Sequence, residues 1–190
     1  MFTFCSECGA KLRETLLPTE DRPRLVCEAC GHITYINPKI VSGTLPMQDG
    51  KVWLLRRGIE PRYGYWTYPA GYQEIDETTD EAAKRETWEE LRLRVEVTKL
   101  FGVYSRAGNH VVNVVYMARL LDPGSTPTLT SEATEVGLFG PDEIPWEELA
   151  FRTIARTLRN YFLDRKLGHF PTRVSVLERR APRPDLAAAA

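Results

Sequence analysis

All four cysteines of this 190-residue chain fall within its first 30 positions, as two C-x-x-C pairs, Cys5/Cys8 and Cys27/Cys30, with 18 residues between the pairs. That spacing is a metal-site pattern. Each pair is followed by glycine, in CSECG and CEACG. A thiolate knuckle turns tightly so that backbone N–H groups point at the sulfurs, and glycine after the second cysteine relieves that turn. Four thiolates fill the tetrahedral shell of Zn²⁺ and leave no place for water, so the site is expected to be structural. Two disulfides fit poorly in a chain with no other mark of export. Two matched pairs also argue against a redox C-x-x-C. The sequence therefore predicts a zinc ribbon over residues 1–35, with the metal supplying much of its folding energy.

Past Asn37-Pro38 the pattern becomes that of a larger domain, expected over 36–175. KIVSGTLPM and KVWLLRR flank Asp49-Gly50, a hairpin signal. A strand-and-loop region follows in GYWTYPAGYQEI. A helix is expected in TTDEAAKRETWEEL, opened by a capping box of Thr78 and Glu81. Further strands are expected near 95–104, 110–120 and 135–139, and a last helix over 151–167. The tail 176–190 has too little to bury and is expected to be disordered. Strands around a central helix, with a second helix near the end, predict an α/β sandwich built on a mixed sheet.

Lys+Arg number 25 against 26 Asp+Glu, so no strong net field draws nucleic acid or an anionic membrane. Within the ribbon four basic residues face five acidic ones. The longest apolar run, HVVNVVYMARLL, is too short to span a bilayer and carries Asn113 and Arg119. No basic segment leads into an apolar one at the start, so the default expectation is the cytoplasm.

The chemistry concentrates between Gly71 and Leu93. On a helix, Glu86 and Glu90 are one turn apart and Glu89 lies beside them, so three carboxylates share one side. Such a cluster is mildly repulsive on a bare helix and becomes favourable around a hard divalent cation such as Mg²⁺. The competing reading is a solvated helix laced with the i,i+4 pairs Glu81–Arg85, Arg85–Glu89 and Glu90–Arg94. The wider spacing decides between them. The segment fits G-x5-E-x7-R-E-x-x-E-E at Gly71, Glu77, Arg85, Glu86, Glu89 and Glu90, six fixed residues over 20 positions.

That segment resembles the signature of the Nudix hydrolases. INPKIVSG, GYWTYPAGYQE and EATEVGLFGPDEIPW extend the likeness to the zinc-ribbon members, similar to the plant chloroplast FAD/ADP-ribose pyrophosphatase group. The resemblance implies a Nudix α/β/α sandwich behind a zinc ribbon. It implies a hydrolase that uses Mg²⁺ or Mn²⁺ and water to cleave the diphosphate of a nucleoside diphosphate derivative, ADP-ribose or FAD foremost. It makes Glu86 and Glu90 the main metal ligands, Glu89 a further ligand or proton acceptor, and the Gly71 carbonyl a fourth donor. Glu77 and Arg85 become a supporting pair, Glu135 a loop glutamate of catalysis, and Glu74 a further acidic position. Three departures stand out. Arg92 replaces the glycine that ends the signature, and an arginine in the left-handed region costs on the order of 1 kcal/mol. Thr87 stands where an aliphatic residue is usual. The S-Q-P-W-P-F-P segment of zinc-ribbon NADH pyrophosphatases is missing, which lowers the expectation for NADH and for NAD-capped RNA.

Substrate contacts are not fixed by the pattern; Arg57, Tyr65 and Trp66 are the candidates, as a phosphate grip and stacking rings. The expected partner is a small nucleotide, with no membrane partner, and the ribbon offers a homodimer contact. The rival class is a non-enzymatic nucleotide-sensing regulator or a nucleic-acid-binding zinc-ribbon protein, which a complete acidic set disfavours.

Overall fold

The computed structural model describes residues 2–176. They form two units, residues up to Pro38 and residues from Lys39 on. The first unit is a three-stranded antiparallel sheet of β1 (Leu12–Thr15), β2 (Arg24–Cys27) and β3 (Ile33–Thr34).

The second unit holds β4 (Lys39–Gln48), β5 (Lys51–Arg57), β6 (Trp66–Thr67), β7 (Ala70–Tyr72), α1 (Thr79–Leu91), β8 (Val95–Ser105), β9 (Val111–Leu120), β10 (Ala133–Phe139), α2 (Arg152–Leu167) and β11 (Arg173–Val176). Its sheet runs β10-β5-β4-β9-β8-β11, with β6 beside β5 and β7 beside β4. The β4–β9 and β11–β8 pairs are parallel and the rest antiparallel, so the sheet is mixed. Asp49 and Gly50 both have positive φ, 49° and 74°, and this turn geometry matches the strand twist of the β4–β5 hairpin.

The helices cover opposite faces. On one, the hydroxyls of Thr44 and Thr87 meet at 2.7 Å, and Thr87 also donates to the Ala83 carbonyl. Those two bonds give the buried threonine of α1 its place. On the other face Ile154, Leu158 and Tyr161 of α2 pack on Leu45, Phe101, Tyr104 and Val115 in the main core. The sequence pattern missed β11, which is only four residues long. It is docked by Arg173, which ion-pairs with the buried Asp164 of α2. Val176 therefore ends a strand, while the rest of the tail expectation, 177–190, lies outside the described residues.

The ends of α1 are set locally. Thr78 and Glu81 form the expected capping box, and Asp80 and Glu81 sit in the first turn, where the helix dipole favours them. At the other end Arg92 takes the left-handed conformation, φ 56° and ψ 22°, and its N–H bonds the Trp88 carbonyl. The helix thus ends where a glycine would end it. The Arg92 guanidinium lies 5.5 Å from the Trp88 ring centre, a contact that offsets part of the backbone cost.

Candidate active site

The capping box starts α1 at Thr79, and from that start the 3.6-residue period turns Glu86 and Glu90 toward the end of β7. Glu90 is 3% exposed and accepts one hydrogen bond, from the Ala70 backbone N–H at 2.9 Å. Glu86 lies beside Gly71, where any Cβ would collide with its carboxylate. Arg85 ties the rest together. Its Nε and Nη2 donate to Glu77 at 2.9 and 2.6 Å, and its Nη1 donates to Glu86 at 2.8 Å and to Glu89 at 2.9 Å. Nη2 also donates to the Tyr72 carbonyl at 3.0 Å. One planar fork thus fixes three carboxylates and the chain beside β7, which an ammonium could not do. Of the three i,i+4 pairs of a solvated helix, only Arg85–Glu89 forms among the described residues.

The charges follow from this geometry. The hydrogen bonds from Arg85 hold the Glu77 carboxyl below its ordinary range. Burial raises Glu86 against the pull of Arg85. Burial also pushes Glu90 up to about 8, helped by the negative charges of Glu86 and Glu132.

These residues form one side of a cleft of about 620 Å³, within the size of small-ligand sites. Arg57 lines it, stacked over Phe151 at 5.6 Å, with its Nε donating to the Pro61 carbonyl at 2.9 Å. Glu74 and Tyr72 line it as well. Two candidate rings do not. Trp66 is 5% exposed, set edge-to-face on Phe139 with centroids 4.9 Å apart, because β6 turns it into the core. Tyr65 carries the Arg62 guanidinium at 5.4 Å and is not part of the cleft lining. Glu135 is not part of it either: it pairs with Arg56 at 3.2 Å. A register shift between Ala133 and Glu135 changes which way the side chains of β10 point. Glu132, just before that irregularity, lines the cleft. Strand alternation alone could not separate Glu132 from Glu135.

In the first unit the four Sγ atoms lie within 4.8 Å of one another. Cys5–Cys30, Cys8–Cys27 and Cys8–Cys30 are separated by 3.8, 3.4 and 3.5 Å. A tetrahedron with Zn–S bonds of about 2.3 Å has edges of about 3.8 Å, so the sulfurs fit zinc. Gly9 and Gly31 both have φ of 74°, and their N–H groups bond the Cys5 and Cys27 carbonyls at 3.0 Å. The two knuckles therefore share one turn. The Cys30 backbone N–H lowers the Cys27 thiol against its burial, while the neighbouring sulfurs raise Cys8 and Cys30, as expected of thiols crowded together.

The NUDIX domain profile matches residues 38–161, and the Nudix N-terminal profile matches residues 3–36. The chain belongs to the Nudix family. A NUDIX hydrolase from Nitrosomonas europaea has a solved structure with a TM-score of 0.86 and 38% identity, over 94% of this chain and all of that one. An ADP-ribose pyrophosphatase from Methanocaldococcus jannaschii is 31% identical over 62% of this chain and 69% of its own length. The NAD-capped RNA hydrolase NudC of Haemophilus influenzae is 31% identical over 85% of this chain. The Nudix chain spans 60% of that enzyme's length.

Proposed function

We propose that the cleft hydrolyses the diphosphate linkage of a nucleoside diphosphate derivative, with ADP-ribose or FAD as the first candidates, releasing AMP and a phosphorylated remainder. The observation that carries this reading is a pair of buried carboxylates, Glu86 and Glu90, one helical turn apart beside Gly71, with Glu90 bonded among the described residues only to a backbone N–H. Burial keeps Glu90 protonated up to about pH 8, so its ionised form calls for a counter-charge that no side chain in contact with it among the described residues supplies. Oxygen donors alone suit a hard divalent cation. We assign Glu86, Glu90 and the Gly71 carbonyl to Mg²⁺ or Mn²⁺, with Glu89 as a further donor. When bound, the ion neutralises charge on the diphosphate and makes a water more acidic.

The remaining roles belong to the chain. Arg85 holds Glu86 and Glu89 at a fixed separation, and Glu77 anchors Arg85 in turn. Arg57, braced by Phe151 and the Pro61 carbonyl, keeps its two Nη groups available to grip a phosphate. Glu132 takes the loop position that the resemblance assigned to Glu135, and either it or Glu89 accepts the water's proton. The four cysteines hold a structural Zn²⁺. The protein acts in the cytoplasm on a small molecule, and light scattering tests the homodimer expected through the ribbon.

The likeness to the Methanocaldococcus jannaschii pyrophosphatase favours ADP-ribose. The likeness to NudC makes the NAD diphosphate, free or on RNA, the second candidate. A panel of ADP-ribose, FAD, NADH and NAD-capped RNA with Mg²⁺ or Mn²⁺, products read by chromatography, ranks them. Glu90→Gln is expected to lower kcat by about 10²–10³-fold or more while the fold is retained. Unchanged kcat at saturating Mg²⁺ would overturn the mechanism.

A further inference from the structure

Across the face of the sheet that carries the cleft, Val41 is paired with Tyr72 of β7 on one side and with Asn113 of β9 on the other. Directly paired residues point to the same face, and neighbouring strands lie about 4.8 Å apart, so the three side chains form a row about 10 Å long. All three line the cleft. The row begins at Tyr72, whose neighbour Gly71 faces Glu86, and leads away from the acidic cluster.

Asn113 is out of place in its strand. It interrupts VVNVV, a run otherwise of β-branched valine, and asparagine is depleted in strands. Other asparagine amides of this domain have structural partners. Asn109 accepts from the His110 N–H at 3.1 Å and reaches the Val111 carbonyl at 3.5 Å, closing the β8–β9 turn. Asn160 reaches the Tyr104 hydroxyl at 3.5 Å. The half-buried side chain of Asn113 has no hydrogen-bond partner among the described residues. The Lys39 ammonium sits 5.1 Å from the Tyr72 ring centre at the other end of the row, and Asn109 also lines the cleft. Beside Val41 and Val111 the Asn113 carboxamide offers one donor and one acceptor side by side to the cleft. That pair matches the N6–H donor and N7 acceptor of adenine. An oxo purine offers two acceptors there, and its O6 would face the amide oxygen, leaving polar atoms unpaired.

We infer that Asn113 reads the N7 edge of the ligand's nucleobase and, on that edge, selects adenine over oxo purines. The nucleoside half of the substrate then lies along Val41 and Asn113, with the diphosphate at the glutamates. This rests on the reading of the cleft as a nucleoside diphosphate site, and the two are tested separately. Binding of AMP and of IMP is titrated on the full chain, and hydrolysis of ADP-ribose and IDP-ribose is measured in parallel. The unaltered protein is expected to prefer AMP by ~5- to ~150-fold. Asn113→Val, which suits the strand, and Asn113→Ser, which keeps polarity, are both expected to bring the ratio near one. For hydrolysis, they should raise the KM for ADP-ribose and leave kcat nearly unchanged. Equal binding of AMP and IMP by the unaltered protein, or a preference that survives in both variants, overturns the assignment. A lost preference in the variants without any hydrolysis by the unaltered protein removes the enzymatic reading and keeps the assignment.

Discussion

Glu90 concentrates the energetics of the cleft in one side chain. Burial places its carboxyl at about 8 rather than the ordinary 4.5. A carboxyl raised on folding favours the native state while protonated, and that contribution is lost as the pH rises through the folded value. Without added divalent ions, stability is therefore expected to fall between about pH 4.5 and pH 8. Glu90→Gln should flatten that fall in thermal melts, and Mg²⁺ should restore the unaltered protein at pH 8. A second prediction concerns its neighbour. Gly71→Ala pushes the Glu86 carboxylate from its place, and displacement on the scale of 1 Å costs on the order of 10²-fold in turnover. Melting temperatures and kcat measured together separate that loss from unfolding. Both residues stand out in the sequence because the spacing of the motif names them. Glu132 does not, because the register shift that separates it from Glu135 leaves no trace in local composition.

At the scale of elements, strong local signals survived folding. The Asp49-Gly50 turn and the Thr78–Glu81 box depend on backbone geometry within four residues, so tertiary context had little to alter. Trp66 and β11 depend on distant partners and were hidden. Trp66 is placed by Phe139, far along the chain, and β11 is placed by β8 and by Asp164. The ion pair at β11 makes a prediction. The Asp164 side chain is 2% exposed, so Arg173→Ala leaves a buried charge without its partner. A loss of about 3–5 kcal/mol is expected in denaturant unfolding. Replacing both residues with apolar ones should recover much of it.

The whole molecule was largely legible, because its two parts announce themselves by different chemistries, thiolates in one and carboxylates in the other. On the proposed zinc site, their folding energies have different sources: the part up to Pro38 would draw on metal, whereas the part from Lys39 on has its own core. Stripping zinc with a thiolate-competing chelator is expected to open only the first part, with limited proteolysis cutting within residues 3–36 and sparing the rest. Simultaneous loss of both parts would show that they fold as one.

The fork of Arg85 bears on how the cleft meets divalent ions. Because Arg85 already ties Glu77, Glu86 and Glu89 together, binding of the proposed ion is expected to need little reordering of this cluster. On that expectation no ordering transition separates scarcity of free ions from abundance. Occupancy should trace a plain hyperbola as ion supply swings, without a threshold, making activity a graded readout rather than a switch.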